Sequence, residues 1–133
     1  QAIILDKLLK IESYTFYDLW QVNLLIKRFI ENSNFSTKYT IATIKEDTFN
    51  LRKSWDFCIS NYAFSELPRD LQEIYINRIL KKTKKGFMLM NSGVNGEFAN
   101  IKNYSQKELL NTLGNAYILN EIPLTCINNY LLT

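Results

Sequence analysis

Segments with helical periodicity alternate with short strand-like segments along the chain, and this order limits the possible folds more than any other feature. The sequence predicts the order α-β-α-β-β-α-β-α-β-β. Strands separated by helices form a parallel sheet with helices on both faces. The last two strands are joined by a short segment around Pro123, which suits an antiparallel hairpin because parallel strands need a longer connection. We therefore expect an α/β fold with a mostly parallel sheet and a C-terminal antiparallel hairpin.

The N-terminal part of the pattern contains two helices and two strands. Residues 2–10 are apolar at helical spacing, and the β-branched and aromatic run 13–17 predicts a strand. An amphipathic helix follows, and residues 38–44 predict the second strand. The expected core face of that helix consists of Val22, Leu25, Ile26, Phe29 and Ile30.

The middle of the chain predicts two more strands around a helix. Residues 55–60 are apolar after Asp56, as is typical of a central parallel strand, and residues 86–91 predict the next strand. Pro68 fits the first turn of the intervening helix, and Gly86 fits its end. The expected core face is Leu71, Ile74, Tyr75 and Ile79, and the lysines expected at the C-terminal end are Lys81, Lys82, Lys84 and Lys85.

The C-terminal part contains a clear helix start. Residues 105–108 form a capping-box pattern, with Tyr104 and Leu109 placed as its hydrophobic staple. The helix is expected to stop at Gly114. The hairpin strands are expected at residues 117–122 and 126–132.

Composition excludes several classes of function. The 133 residues are 47% hydrophobic and 14% aromatic, enough for one packed domain. The net charge of +3 is scattered and indicates no nucleic-acid partner, and no apolar run is long enough to span a membrane. Histidine and C-x-x-C pairs are absent, so neither a common metal site nor a histidine base is expected. Cys58 and Cys126 lie in apolar runs, which predicts buried thiols in a reducing, cytoplasmic compartment.

Three stretches resemble one family of enzymes: residues 14–20 (YTFYDLW), 60–67 (SNYAFSEL) and 86–91 (GFMLMN). With the terminal hairpin, they resemble the class I S-adenosylmethionine-dependent methyltransferases, and in particular the sugar O-methyltransferases of bacterial surface-polysaccharide clusters. The resemblance spans nearly the whole chain. It implies a Rossmann-like fold, S-adenosyl-L-methionine as cofactor, and a sugar hydroxyl of a small molecule or glycan as methyl acceptor.

The glycines depart from this resemblance. In the family, an acidic residue and a glycine-rich loop precede the segment that matches Gln1. The four glycines here are later and form no G-x-G-x-x-G run: Gly86, Gly93, Gly96 and Gly114. We therefore expect residues 1–133 to be a single methyltransferase-like domain, truncated so that its first strand and glycine loop are missing. Because that loop lets the backbone approach the cofactor, we expect residues 1–133 alone to lose most of the cofactor affinity and to be inactive.

The resemblance assigns cofactor contacts to the ends of the first three visible strands. Asp18, with Leu19 beside it, is expected to bind the ribose hydroxyls; the alternative is an N-cap for the following helix. Glu46 and Asp47 are expected near adenine, with solvated loop charges as the alternative. Ser60 and Asn61 are expected to face the methionine part of the cofactor, with a polar strand exit as the alternative.

The acceptor side of the site follows from the same stretches. Tyr62, Phe64 and Asn91 are expected to line the acceptor pocket, since a sugar face stacks well on an aromatic ring; the alternative for both aromatics is core packing. Glu66 is expected to be the general base that takes the hydroxyl proton. Its alternative role is to cap the helix that begins near Pro68.

Two other functions are compatible with the pattern. One is a non-catalytic methyltransferase-like interaction or structural module, which the missing glycine loop favours. The other is a different Rossmann-type domain that binds NAD or a nucleotide-sugar, against which the terminal hairpin counts. Nucleic-acid binding is disfavoured because the lysines gather at a predicted helix end instead of alternating with aromatics on one face.

Overall fold

The computed structural model describes residues 1–45, 54–91, 97–98 and 100–133. The contacts divide the chain into two compact units, Gln1–Leu51 and Arg52–Thr133. The described residues form four α-helices and eight strands, which confirms the mixed α/β class. Across these residues, no helix combines the length and apolar character needed to cross a membrane.

The first unit pairs two parallel strands. Its elements are α1 (Ala2–Leu8), β1 (Ser13–Tyr17), α2 (Trp20–Glu31) and β2 (Lys38–Ala42), close to the predicted bounds. Strand β1 pairs with β2 in parallel, with Phe16 opposite Ile41. The carboxylate of Asp6 accepts hydrogen bonds from the backbone amides of Ser36 and Thr37 at 2.9 and 2.8 Å, which attaches α1 to the segment that enters β2.

The predicted core face of α2 is largely wrong. Val22, Leu25 and Phe29 are 37%, 67% and 65% exposed. The buried positions of α2 are Asn23 and Ile30. A sheet of two strands covers only a narrow strip of a helix, so the described residues of this unit leave most of the apolar stripe uncovered.

The elements of the second unit are β3 (Trp55–Asn61), α3 (Arg69–Arg78), β4 (Thr83–Met90), β5 (Glu97–Phe98), β6 (Ile101–Lys102), α4 (Gln106–Leu113), β7 (Ile118–Asn120) and β8 (Tyr130–Leu132). Four of these strands form a sheet in the order β3-β4-β8-β7. Strands β3 and β4 are parallel, and β8 runs antiparallel to both β4 and β7. The antiparallel C-terminal pair is therefore confirmed, but its strands are shorter than predicted and the segment that joins them is longer.

The position of β3 differs from the prediction of a central strand. Among the described residues β3 pairs with β4 alone, so it forms an edge of its sheet. Phe57 is accordingly 53% exposed. An apolar strand is buried on both faces only where other elements pack against both, and a run of apolar residues does not show whether they do.

The lysine-rich segment is also a correction. Helix α3 ends at Arg78, a short 3-10 turn follows, and Lys84 and Gly86 lie inside β4. Gly86 is therefore no helix cap; it pairs with Cys58 in the parallel ladder. Lys84 forms an exposed ion pair with Asp56 at 2.7 Å. Because pairing with β3 extends β4 toward its N-terminus, Lys84 and Gly86 belong to the strand and not to the end of the helix.

The core of the second unit lies between the sheet and helices α3 and α4. Helix α3 buries Gln72 and Ile76, which were not predicted to face the core, and Pro68 is its N-cap. Two residues of the predicted face are confirmed, since Ile79 is buried and Tyr75 packs against the core. The Ser105–Glu108 capping box is confirmed, and Gly114 ends α4 with a left-handed φ of 77°. The core cluster is Phe64, Ile76, Met88, Met90, Tyr104, Leu109, Tyr130 and Leu132.

Candidate functional site

A tight turn follows β3 at the carboxyl edge of the parallel pair. Asn61 lies opposite Leu89, so β3 and β4 end at the same edge of the sheet. Tyr62 adopts a left-handed backbone with φ 63°, and its amide donates to the Leu89 carbonyl at 2.9 Å. A 3-10 turn, Ala63–Glu66, follows at once. The chain thus turns back over the end of β4.

Three side chains meet at this edge, and we call Ser65, Glu66 and Asn91 the strand-end cluster. The Ser65 hydroxyl accepts from the backbone amide of Asn91 at 3.1 Å and also hydrogen-bonds to its side-chain oxygen Oδ1. The Asn91 side-chain amide donates to Oε1 of Glu66 at 3.0 Å. Ser65 is fully buried, whereas Glu66 is exposed. The structure therefore brings together two predicted site residues, Glu66 and Asn91, on a buried serine.

Two buried amides hold this turn in place. The amide Nε2 of Gln72 donates to the Phe64 carbonyl at 2.9 Å, and Oε1 of Gln72 accepts from the Tyr104 amide at 2.7 Å. Nδ2 of Asn103 donates to the Ser65 carbonyl at 2.6 Å. The sequence prediction missed both residues. For Gln72 a signal existed, because it lies beside the apolar positions that were expected to face the core.

Glu66 does not fill its alternative role as a helix cap. The N-cap of α3 is Pro68, which makes no side-chain capping bond, and the Glu66 carboxylate is instead bonded to Asn91. Ser60 supports the turn, since its hydroxyl accepts from the Phe64 amide at 3.1 Å. Asn61 is exposed at the end of β3.

Phe64 is a correction to the predicted acceptor pocket. Its ring is 4% exposed and lies edge-on to Tyr75 with centroids 6.5 Å apart. An aromatic ring this well buried presents no face to a sugar. The 3-10 turn directs Phe64 inward to the core while Glu66, two residues later, stays in solvent.

Tyr62 is half-buried, and its hydroxyl contacts the hairpin loop. The hydroxyl donates to Oε1 of Glu121 and lies 3.0 Å from the Thr125 hydroxyl. Glu121 also accepts from the backbone amide and hydroxyl of Thr125 at 3.0 and 2.7 Å. These bonds, that of Tyr62 first, lower the pKa of Glu121 from 4.5 to about 2. The prediction did not include Glu121, because nothing local in the sequence sets this acid apart.

Asp18 and Leu19 lie in the first unit, at the carboxyl end of β1. Oδ1 of Asp18 accepts from the Leu19 amide at 2.8 Å, and Leu19 itself is the N-cap of α2. The alternative role of Asp18 as N-cap is therefore wrong. Asn23 on α2 joins the ends of both strands, since Nδ2 donates to the carbonyls of Asp18 and Ala42 at 3.2 and 3.0 Å. Leu19 is 62% exposed.

The remaining predictions on binding groups have mixed outcomes. Glu46 and Asp47 lie outside the described residues. Within the part of the chain that the structure describes, no three metal-ligating side chains are grouped. Cys58 is partly buried, and burial raises the pKa of its thiol to about 11, whereas Cys126 is exposed, contrary to expectation.

The strand-end cluster exposes a carboxylate, which can accept a hydrogen bond or a proton. Its carboxylate is exposed, is fixed through one oxygen by an amide, and lies where parallel sheets receive their ligands. Comparison of the chain with protein-family models, curated proteins and solved structures gave no match.

Proposed function

We propose that this chain is an S-adenosylmethionine-dependent O-methyltransferase domain that methylates a sugar hydroxyl in surface-polysaccharide biosynthesis. The observation that carries the proposal is the bond between Glu66 and Asn91 at the shared carboxyl edge of β3 and β4. Ligands of open α/β sheets bind outside this edge, so an exposed carboxylate held there is suited to act on a ligand. We place the activity in the cytoplasm, which agrees with two cysteines that form no disulfide.

We also propose that the fold is that of a Rossmann-like methyltransferase. A Rossmann-like methyltransferase sheet is mostly parallel and ends in an antiparallel hairpin. The order β3-β4-β8-β7, with β8 antiparallel beside the parallel pair, supports this assignment, and so does the parallel pair β1-β2 of the first unit. We also propose that residues 1–133 belong to a single domain.

The polar side chains assigned to the cofactor suit its chemical groups. S-adenosyl-L-methionine supplies an electrophilic methyl group on a sulfonium sulfur. The carboxylate of Asp18, at the end of β1, suits the two hydroxyls of its ribose because a carboxylate accepts from both. We assign Ser60 and Asn61 to its methionine part, Leu19 to a flanking contact, and Glu46 and Asp47 to adenine.

Glu66 is proposed to move the proton. Asn91 holds Oε1, and we assign proton transfer from the acceptor hydroxyl to Oε2 of the same carboxylate. A base must lie within hydrogen-bond reach of the proton that it takes, and an exposed carboxylate at the sheet edge is open to an acceptor that binds there. Tyr62 and Asn91 are assigned to the acceptor, the ring of Tyr62 against the sugar face and the amide of Asn91 near its hydroxyls.

Calorimetry tests the cofactor site on the protein at its natural length, because weak affinity is expected of residues 1–133 alone. S-adenosylhomocysteine is titrated into wild type, Asp18→Ala and Glu12→Ala, an exposed acid outside the strands that serves as the control. Binding to wild type and to the Glu12 variant, with loss in Asp18→Ala, supports the proposal. A folded wild type that binds nothing refutes the enzymatic function.

Methyl transfer to a panel of sugars tests the acceptor side. We expect Glu66→Gln to lower kcat by about a hundredfold, within the range for loss of a general base. Glu73→Gln, on the exposed face of α3, is the matched control and should retain full activity. Equal kcat values in the two variants would remove Glu66 from the proposed site.

One observation favours the non-catalytic alternative. On α2 the side chains of Leu24, Leu25 and Phe29 are 53%, 67% and 65% exposed, which is unusual for large apolar groups. An interaction module would use such a surface and would need no cofactor. It would therefore show no heat of binding with S-adenosylhomocysteine, and the calorimetry separates the two functions.

A further inference from the structure

Resting on the proposed function, in which Glu66 takes the proton, we propose that Glu121 is a positioning residue for Glu66. Glu121 lies on the hairpin that carries β7 and β8, and no bond joins it directly to the strand-end cluster among the described contacts. It acts through Tyr62, whose side chain contacts the hairpin and whose backbone contacts the cluster.

Several hydrogen bonds hold Glu121, at the hairpin end of the connection. Glu121 is 7% exposed, and its carboxylate accepts from Thr125 through both the backbone amide and the hydroxyl. The Thr125 hydroxyl in turn accepts from Nδ2 of Asn129 at 2.9 Å. With its carboxylate fixed in this way, Glu121 offers a defined acceptor to the Tyr62 hydroxyl.

The backbone of Tyr62 makes the connection strong. A left-handed φ of 63° is unfavourable for a residue with a Cβ, and such conformations persist only where the surroundings hold them. The described contacts of Tyr62 are the hydrogen bond from its amide to the Leu89 carbonyl, the bonds that its carbonyl accepts from Ser65, and the contacts of its hydroxyl with Glu121 and Thr125. The hydroxyl contacts are those that hold the side chain, and we expect their loss to let Tyr62 relax toward a right-handed or extended backbone.

The carbonyl of Tyr62 then transmits the change. It accepts from the amide of Ser65 at 3.0 Å and lies 2.7 Å from the Ser65 hydroxyl. That hydroxyl bonds to Asn91, and Asn91 donates to Glu66. Rotation of the Tyr62 peptide therefore removes a partner of Ser65 and loosens the amide that orients the base.

The first test is independent of catalysis. In the full-length protein, the side-chain amide of Asn91 is assigned by 15N–1H spectroscopy in Glu121→Gln and Tyr62→Phe. Both variants should shift this resonance, whereas Tyr117→Phe, which alters an exposed tyrosine next to the same hairpin, should not. Tyr62→Phe removes only the hydroxyl, so the test stays decisive even if Glu121→Gln does not fold. An unchanged Asn91 resonance in a folded Tyr62→Phe overturns the inference.

A glycine variant tests the path. Glycine adopts φ near +60° without strain, so Tyr62→Gly holds the turn without help from the hairpin. In that background Glu121→Gln should leave the Asn91 resonance nearly unchanged. An equal shift in both backgrounds shows that the effect bypasses Tyr62 and overturns the proposed path.

Steady-state kinetics distinguish a role in orienting the base from a role in folding alone, because only the first should lower kcat in the folded protein. We expect Tyr62→Phe and Glu121→Gln to lower kcat about tenfold and to change KM by less than about twofold, as for loss of an interaction made in the transition state. A change in KM with unaltered kcat overturns a role in orienting the base. Failure of the proposed function is recognised separately, by a wild type that transfers no methyl group.

Discussion

The side-chain amide of Asn91 donates to the Glu66 carboxylate at 3.0 Å, although the two residues are 25 positions apart. Each follows one strand of the parallel pair β3 and β4, and the buried Ser65 bonds to Asn91. The parallel register brings them together, since it ends the two strands at one edge of the sheet. Strand pairing therefore brings these polar groups together, and the orientation of the proposed base depends on the side-chain amide of Asn91.

Replacing Asn91 by alanine should weaken both the fold and the site. The change removes the side-chain partner of the buried Ser65 hydroxyl, so the free energy of unfolding should fall by about 1 kcal/mol. Urea unfolding measures this loss. Asn115→Ala, at an exposed position after α4, is the control and should stay within about 0.5 kcal/mol of wild type. Equal stability of the two variants would show that the Ser65 contact contributes nothing.

Replacing Gln72 by leucine should be more damaging. Gln72 is fully buried and satisfies the Phe64 carbonyl and the Tyr104 amide. Leucine has a similar size but leaves both backbone groups buried without this partner, so we expect a loss of about 2 to 4 kcal/mol. Asn77→Leu, exposed on the same helix, is the matched control. A stability of Gln72→Leu near that of the control would contradict this account of the turn.

Local patterns in the sequence predicted the elements well. The strand at Ser13–Tyr17, helix α2 and the capping box at Ser105 all lie where periodicity and cap chemistry placed them. These features depend on neighbouring residues, which a sequence shows directly. The predicted proximity of Glu66 and Asn91 also follows from local strand ends.

Predictions that depend on packing between elements were less successful. Contrary to prediction, the ring of Phe64 lies in the core, Lys84 lies in β4, and most of the apolar stripe of α2 is exposed. Each outcome is set by which element covers which, and periodicity does not contain that information. The contacts of Tyr62 with Glu121 depend on the hairpin returning to β4, a long-range pairing with no local signature.

The two cysteines should differ sharply in reactivity. Burial raises the pKa of the Cys58 thiol to about 11, whereas Cys126 is exposed. Because the thiolate is the reactive form, one thiol per chain should react with an aromatic disulfide reagent in native protein near pH 8. Both thiols should react in denatured protein. Cys126→Ser should abolish the native reaction and Cys58→Ser should retain it. Rapid labelling of native Cys126→Ser would show that Cys58 is accessible.

Stability in acid should depend partly on Glu108. Its hydrogen bond from Arg69, followed by those from Ser105, lowers the pKa of Glu108 from 4.5 to about 2. A carboxyl with a lowered folded pKa stabilises the protein above its unfolded pKa, and this contribution is lost as pH falls from about 4.5 toward 2. Glu108→Gln keeps a capping-box partner for Ser105 but cannot titrate.

Urea midpoints between pH 5 and 2 should therefore fall less steeply in Glu108→Gln than in wild type. The slope should not vanish, because Glu121 has a pKa lowered to a similar value and titrates in the same window. Since Glu108 is partly exposed, added salt should screen its pairing with Arg69 and narrow the difference between the variants. Identical slopes for Glu108→Gln and wild type at low salt would show that the Arg69 contact does not stabilise the ionised form.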